Sequence, residues 1–269
     1  MSDRAGILSI PRALANADEP WLLEGSNDAG EYSIAPRTPI ASVVGSEYPQ
    51  RRPVSISPWS RPLDVFGAVL LIITLAPVFV LVSCAIFVFD PGPVIFRHQR
   101  IGQDGKPFPC LKFRSMFVGA EERLQRLLAQ DPELRAEWER DHKLTRDPRV
   151  SRVGHLLRVT SLDELPQLIN VLKGEMSLVG PRPHAVGMKT GETESARLVA
   201  EYAHRHRMKP GMTGWAAIKG SRGPLHSAAD VKRRVQLDID YIERQSFWLD
   251  IWIILVTAPV LLGDRSAVR

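Results

Sequence analysis

Two adjacent carboxylates, Asp163 and Glu164, stand in the run Thr160-Ser161-Leu162-Asp163-Glu164-Leu165-Pro166-Gln167. Hydroxyl residues precede them, and the apolar spacing Leu165, Leu168, Ile169, Leu172 comes after. Ser161 with Glu164 three positions on has the spacing of a capping box, which predicts a helix over 162–172. The pair would then occupy its first turn, where unpaired N–H groups and the macrodipole favour an ionised Asp and can hold a phosphate. Such a pattern alone is usually only a cap. Its surroundings change that meaning. Arg146, Arg149, Arg152, Arg158, Lys173 and Arg182 crowd the same region, and Pro181-Arg182-Pro183 fixes the backbone around one guanidinium, whose planar fork suits phosphate. Gly220-Ser221-Arg222-Gly223 sets a second Arg between glycines, which lets its guanidinium approach a phosphate closely. His204 and His206 have no acidic or Cys partner at ligand spacing, so contacts with backbone or solvent are expected for them.

Four motifs occur in order: Lys112-Phe113-Arg114-Ser115-Met116, Ser161 to Gln167, Ser177-Leu178-Val179-Gly180-Pro181-Arg182-Pro183, and Lys209-Pro210-Gly211-Met212-Thr213-Gly214-Trp215. In this the chain resembles the bacterial sugar transferases, the monotopic polyprenyl-phosphate phosphoglycosyl transferases, over roughly residues 59 to 263. The resemblance implies transfer of a sugar-1-phosphate from a UDP-sugar to undecaprenyl phosphate, with release of UMP. Asp163 is the nucleophile expected to form an aspartyl-phosphosugar intermediate, and Glu164 is assigned to metal binding or positioning. Mg2+ held at Asp163 and Glu164 is the expected cofactor, because hard oxygen ligands suit it. Lys112, Arg114, Arg182 and Arg222 are expected on the phosphates, and Asp238 matches an acidic position near the family's active site. Pro183-His184-Ala185-Val186 with His204-Arg205-His206 resembles the glucose-transferring branch, so UDP-glucose is preferred over UDP-galactose or an N-acetylated sugar. Ala217 departs from the family's usual Gln and leaves sugar selectivity open.

The elements that must position these groups are partly legible. With 269 residues the chain can hold one large domain or two small ones, and a net charge of +5 suits an anionic partner. Among anionic partners nucleic acid is the weakest, since the basic residues form no stripe with interleaved aromatics. Two cysteines, Cys84 and Cys110, give neither a disulfide framework nor a zinc spacing and fit a reducing cytosol. A catalytically idle membrane scaffold would keep the apolar segments, but it would need no Asp-Glu pair. The expected fold is mixed α/β and helix-rich.

Residues 1–57 read as a flexible cytosolic tail, with no apolar core of a signal peptide between Met1 and Asn16. Residues 58–92 carry an uncharged run from Val65 to Phe89 with Pro77 at its middle. Broken there, each half of about 12 residues is about 18 Å long, too short to cross roughly 30 Å of hydrocarbon. Arg51, Arg52 and Arg61 before the run, and Arg97, Arg100, Lys106, Lys112 and Arg114 after it, place both ends in the cytoplasm. Composition fits a kinked span as well as a re-entrant helix; the resemblance implies the re-entrant one. Residues 93–246 form the expected catalytic domain. Within it are strands at 94–96 and 108–113, an amphipathic helix over 120–140 interrupted at Asp131-Pro132, a strand at 176–179, and a loop over 187–197 merging into a helix near 196–206. A turn and buried strand over 209–219 and a basic helix over 231–244 complete it. Residues 247–269, with Trp248 and Trp252, suit the membrane interface. The expected location is the cytoplasmic face of the bacterial inner membrane, with its lipids as partners and the oligomeric state left open.

Overall fold

In a computed structural model, residues 54–141, 144–191 and 193–263 are described. The tail expected over 1–57 lies outside the described residues up to position 53, as do residues 264–269. Helix α1 (Ser60–Phe89) starts five residues before the uncharged run and continues without interruption through Pro77. Pro77 removes one N–H donor inside the helix, and no non-helical residue separates the two halves on either side of it. At 30 residues α1 is about 45 Å long. Among the described residues it is the one helix long and apolar enough to cross a membrane. Only Asp64, Ala68, Val82 and Ile86 along it are buried, whereas Phe66 and Val88 are 71% and 72% exposed. A water-soluble helix would reverse that balance.

The base of α1 is bonded to a stretch more than a hundred residues further along the chain. Arg61 donates to the carbonyls of Val171 (2.7 Å) and Leu172 (2.8 Å). Asp64 accepts from Ser177 Oγ and the Leu178 N–H, both at 2.8 Å. These two charged side chains satisfy backbone groups at a helix end and a strand start, which explains polar residues on an otherwise apolar helix.

After α1, strands β1 (Ile95–Ile101) and β2 (Pro107–Phe113) pair antiparallel, with Ile95 opposite Phe113 and Ile101 opposite Pro107. Helices α2 (Ala120–Gln130) and α3 (Pro132–Asp141) meet at the expected break, where Asp131 Oδ1 accepts from the N–H groups of Glu133 and Leu134. Helix α4 (Arg152–Thr160) is capped by Ser151, whose hydroxyl accepts from the Gly154 N–H. A single 3₁₀ turn (Leu162–Glu164) comes next, then α5 (Gln167–Lys173), which Gly174 ends in the left-handed conformation at φ 81°.

Strand β3 (Ser177–Val179) pairs parallel with β6 (Gly211–Thr213), and between them lie the two-residue strands β4 (Lys189–Thr190) and β5 (Thr193–Glu194). The loop and helix expected over 187–206 are thus replaced by this hairpin and by 3₁₀ turns at Ser195–Arg197 and Tyr202–His206. After β6 the chain forms a short helix, α6 (Trp215–Ile218), where a continued strand was expected. Helix α7 (Ala228–Arg244) opens on a reciprocal capping box of Ser227 and Asp230, and α8 (Phe247–Gly263) leaves Trp248 76% exposed. The architecture is mixed α/β and helix-rich. Its largest core cluster joins α1 (Ala68), β2 (Phe108, Cys110), α5 (Leu168, Val171) and α8 (Ile253).

Candidate active site

The two carboxylates are not where the capping pattern puts them. Ser161 adopts a left-handed conformation (φ 56°, ψ 16°) that ends α4 and opens the 3₁₀ turn, and it makes no side-chain cap. A non-glycine residue held there is uncommon and strained. The α-helix itself begins later, at Gln167 after Pro166. Asp163 and Glu164 therefore sit on a tight 3₁₀ turn that leads through Leu165 and Pro166 into α5.

Neighbouring side chains set the charge of the pair. Lys112, presented by β2, lies 2.8 Å from Glu164 Oε1 and 3.6 Å from Asp163 Oδ2. The Arg182 guanidinium is 3.4 Å from the same Glu164 oxygen. Burial pushes the Glu164 carboxyl up, but Lys112, then Arg182 and Arg222, outweigh it and hold the group well below the usual carboxylate range. At Asp163 the balance reverses. Burial raises its pKa and the Glu164 charge adds to this, with Lys112 and Arg158 only partly opposing. The pair is thereby split into a permanent anion and a more basic carboxylate, and the expected dipole-favoured, easily ionised Asp gives way to an Asp raised by burial.

Arg222, in the loop after α6, donates to Ser161 Oγ at 2.9 Å and so reaches the same turn. Arg158 on α4 donates to Ser115 Oγ at 2.9 Å. A cleft beside Glu164 is lined by Arg100, Cys110, Lys112, Gln167 and Arg182. Arg100, half-buried on β1, donates to the Pro183 carbonyl at 3.0 Å while its buried Nε has no partner. Sequence reasoning counted Arg100 only as a flanking charge. The signal for it was its position on a strand whose partner presents Lys112.

The structure thus brings together Lys112, Asp163, Glu164, Arg182 and Arg222, and it places two other candidates elsewhere. Arg114 lies just past the end of β2, where the strand's alternation no longer holds it beside Lys112. It donates to the Asp90 carbonyl and pairs with the Asp90 carboxylate at 3.3 Å, tying the hairpin to the end of α1. Asp238 is fully buried behind the site, in an ion pair with Arg205 at 2.6 Å. His204 and His206, expected at backbone or solvent, are both buried, and His206 packs edge-on against Tyr202. Among the described residues no three His, Cys, Asp or Glu side chains are placed to hold a metal ion. The donor set for a hard cation is Asp163 with Glu164, two carboxylates of the kind that bind Mg2+ jointly with substrate phosphates. Burial raises Asp163 and the Glu164 charge adds to this, so a cation placed between the two carboxylates would offset both.

Comparison with known proteins agrees with this chemistry. The family described as bacterial sugar transferase matches residues 56–264. An undecaprenyl-phosphate glucose phosphotransferase of Komagataeibacter xylinus is 44% identical, over 81% of this chain and 39% of that protein. An undecaprenyl-phosphate galactose phosphotransferase of Salmonella typhimurium is 43% identical, over 77% of this chain and 41% of its own length. A UDP-glucose:undecaprenyl-phosphate glucose-1-phosphate transferase of Caulobacter vibrioides is 43% identical, over 80% of this chain and 73% of its own. The chain spans about two-fifths of the length of the first two.

Proposed function

The chain belongs to the bacterial sugar transferase family, and on that premise we propose that it transfers a hexose-1-phosphate, glucose-1-phosphate first among the choices, from a UDP-sugar to undecaprenyl phosphate. The observation that carries this reading is the split carboxylate pair: Glu164 neutralised by Lys112 and Arg182, and Asp163 beside it kept basic by burial. Asp163 attacks the β-phosphorus of the donor through a carboxylate oxygen, and the bond from that phosphorus to the bridging oxygen breaks. UMP leaves. The sugar phosphate remains on the aspartate as an acyl phosphate until an oxygen of the lipid phosphate attacks the same phosphorus and frees Asp163. Lys112, Arg182 and Arg222 face the charge spread over the phosphoryl oxygens, and Glu164 holds Lys112 and Arg182 in register. Asp163 and Glu164 would hold Mg2+, which supplies further charge neutralisation on the diphosphate.

Access to a lipid acceptor comes from α1, whose base is bonded to α5 and β3 and whose apolar surface faces outward. We assign both its ends to the cytoplasmic side, from the positive charge on either flank, with α1 bent at Pro77 so that it enters the bilayer and returns, and α8 to the interface through Trp248 and Trp252. Incubation of the membrane-reconstituted chain with Mg2+, undecaprenyl phosphate and a panel of labelled UDP-sugars tests the reading. UMP and a lipid-linked hexose form with at least one donor, chelation stops both, and added Mg2+ restores them. No product from any donor refutes it. A galactose-only result keeps the chemistry and moves the sugar.

The acid limb of the pH profile gives a second check. Attack needs the Asp163 anion, so kcat/KM falls as pH drops through the pKa of this carboxyl, which burial raises in the metal-free site and a bound Mg2+ would lower. Lys112 is the leading influence that lowers this pKa. In Lys112→Met the limb therefore shifts to higher pH, whereas an unchanged limb excludes Asp163 as the titrating group.

A further inference from the structure

Helix α7 buries Val231, Arg234, Val235, Asp238, Tyr241 and Ile242, an inward stripe at helical spacing that contains two charges. Neither touches the carboxylate pair, yet each holds a loop that carries a phosphate-facing arginine. Arg234 donates through Nε to Ser221 Oγ (3.3 Å) and through NH2 to the Gly223 carbonyl (2.5 Å), gripping both neighbours of Arg222. Asp238 accepts from Arg205 Nε (3.0 Å) and NH2 (2.6 Å), and that same NH2 donates to the Arg182 carbonyl at 2.8 Å. The neighbouring carbonyls are held too, Pro181 by the Gly211 N–H (2.9 Å) and Pro183 by Arg100 (3.0 Å). Three consecutive carbonyls are thus fixed around a guanidinium that remains partly exposed beside Glu164.

We propose that α7 is a ruler: Asp238, through Arg205, and Arg234, one helical turn away, are positioning residues that set the separation of the Arg182 and Arg222 guanidinia to fit two linked phosphates. This rests on the reading of the site as a diphosphate-binding centre. Stability does not explain the arrangement, because a buried ion pair is commonly no better than a well-packed apolar pair of similar volume. Geometry does. An added Cβ at Gly220 or Gly223 meets nothing within 4 Å, so hydrogen bonds rather than close packing hold the Arg222 loop: the Ser221 N–H to the Ala216 carbonyl (2.8 Å), Arg222 to Ser161 Oγ (2.9 Å) and the two from Arg234. Residues four apart on one helix differ in height by about 6 Å and cannot drift relative to each other, which pre-orients both cations before ligand arrives.

The test is a double-mutant cycle on the full chain in lipid nanodiscs, read as affinity for inorganic pyrophosphate alongside kcat/KM for the UDP-sugar. Asp238→Asn weakens pyrophosphate binding roughly tenfold, about the loss of one charge-assisted contact. In an Arg182→Ala background the same change weakens it less than about twofold, while in Arg222→Ala the full loss persists. Arg234→Lys gives the mirror image, with its effect disappearing only in Arg222→Ala. Ser221→Ala, which removes one acceptor of Arg234, repeats that pattern if Asp238→Asn fails to fold. Equal losses in both backgrounds overturn the ruler and leave the transferase reading intact. Pyrophosphate affinity that survives Arg182→Ala and Arg222→Ala unchanged overturns the ruler together with its diphosphate premise. The paired pattern without turnover of any UDP-sugar upholds the ruler and refutes the reaction.

Discussion

Asp163→Asn abolishes transfer, by on the order of 10⁴-fold or more, and leaves the protein at least as stable as the parent. Asparagine keeps the size of the side chain but offers no carboxylate oxygen to phosphorus, so no acyl phosphate forms. In the parent, label from the β-phosphate of the donor becomes covalently attached to protein when acceptor lipid is withheld; in the variant it does not. The stability half comes from the direction of the pKa shift. Because the folded state raises the Asp163 pKa, the fold favours the protonated side chain. That stabilisation is present below the unfolded pKa and is lost as pH rises through the folded one. At neutral pH without Mg2+ the buried charge therefore weighs against folding, and a neutral amide relieves it. Thermal unfolding of the two proteins near pH 7 measures this. Full activity in the variant refutes the nucleophile, and a clearly lower unfolding temperature refutes the electrostatic account of the turn. Lost activity beside retained stability is the signature of a residue kept for chemistry at the expense of the fold.

The features that can be read in the residues and those that cannot divide along physical lines. Arg182 is legible because two prolines restrict its backbone locally, and Lys112 because strand alternation and a motif place it. The α2–α3 break is legible because Asp131-Pro132 acts within its own turn. The start of the carboxylate helix is not. Ser161 and Glu164 have capping-box spacing, but the left-handed turn at Ser161 depends on packing of α4 and on Arg222 arriving from 61 residues away. By local rules Arg234 and Asp238 look like surface charge on a basic helix, and only the family resemblance marks Asp238. Their partners, Ser221 and Arg205, come from other elements, and no local rule pairs them. The readable sign is that both fall on the stripe of Val231, Val235 and Ile242, where a charge needs a buried partner. Arg114 fails for the opposite reason: alternation is carried one residue past the end of its strand.

Gly211→Ala produces the second large effect, a loss of about 3 kcal/mol or more in folding stability together with loss of transfer. A Cβ there would lie 2.1 Å from the Gly180 nitrogen, 2.4 Å from the Thr213 carbonyl oxygen and 2.7 Å from the Gly180 Cα. All three are backbone atoms, so no side-chain rotation relieves the overlap; β6 must deform at Thr213 and move away from Gly180. The contact is the crossing of β3 and β6, where Ser177 stands opposite Gly211 and the Gly180 N–H donates to the Thr213 carbonyl at 2.9 Å. Separating them also breaks the bond from the Gly211 N–H to the Pro181 carbonyl, the residue before Arg182. Stability and phosphate grip therefore fail together, unlike at Asp163, where they move in opposite directions. Gly223→Ala is the matched control, since an added Cβ there meets nothing within 4 Å; its stability stays within about 0.5 kcal/mol of the parent. Urea unfolding of the three proteins measures both values. A Gly211→Ala variant as stable as Gly223→Ala would mean that β3 and β6 do not approach this closely, and the fixed backbone on which Arg182 is mounted would have no support.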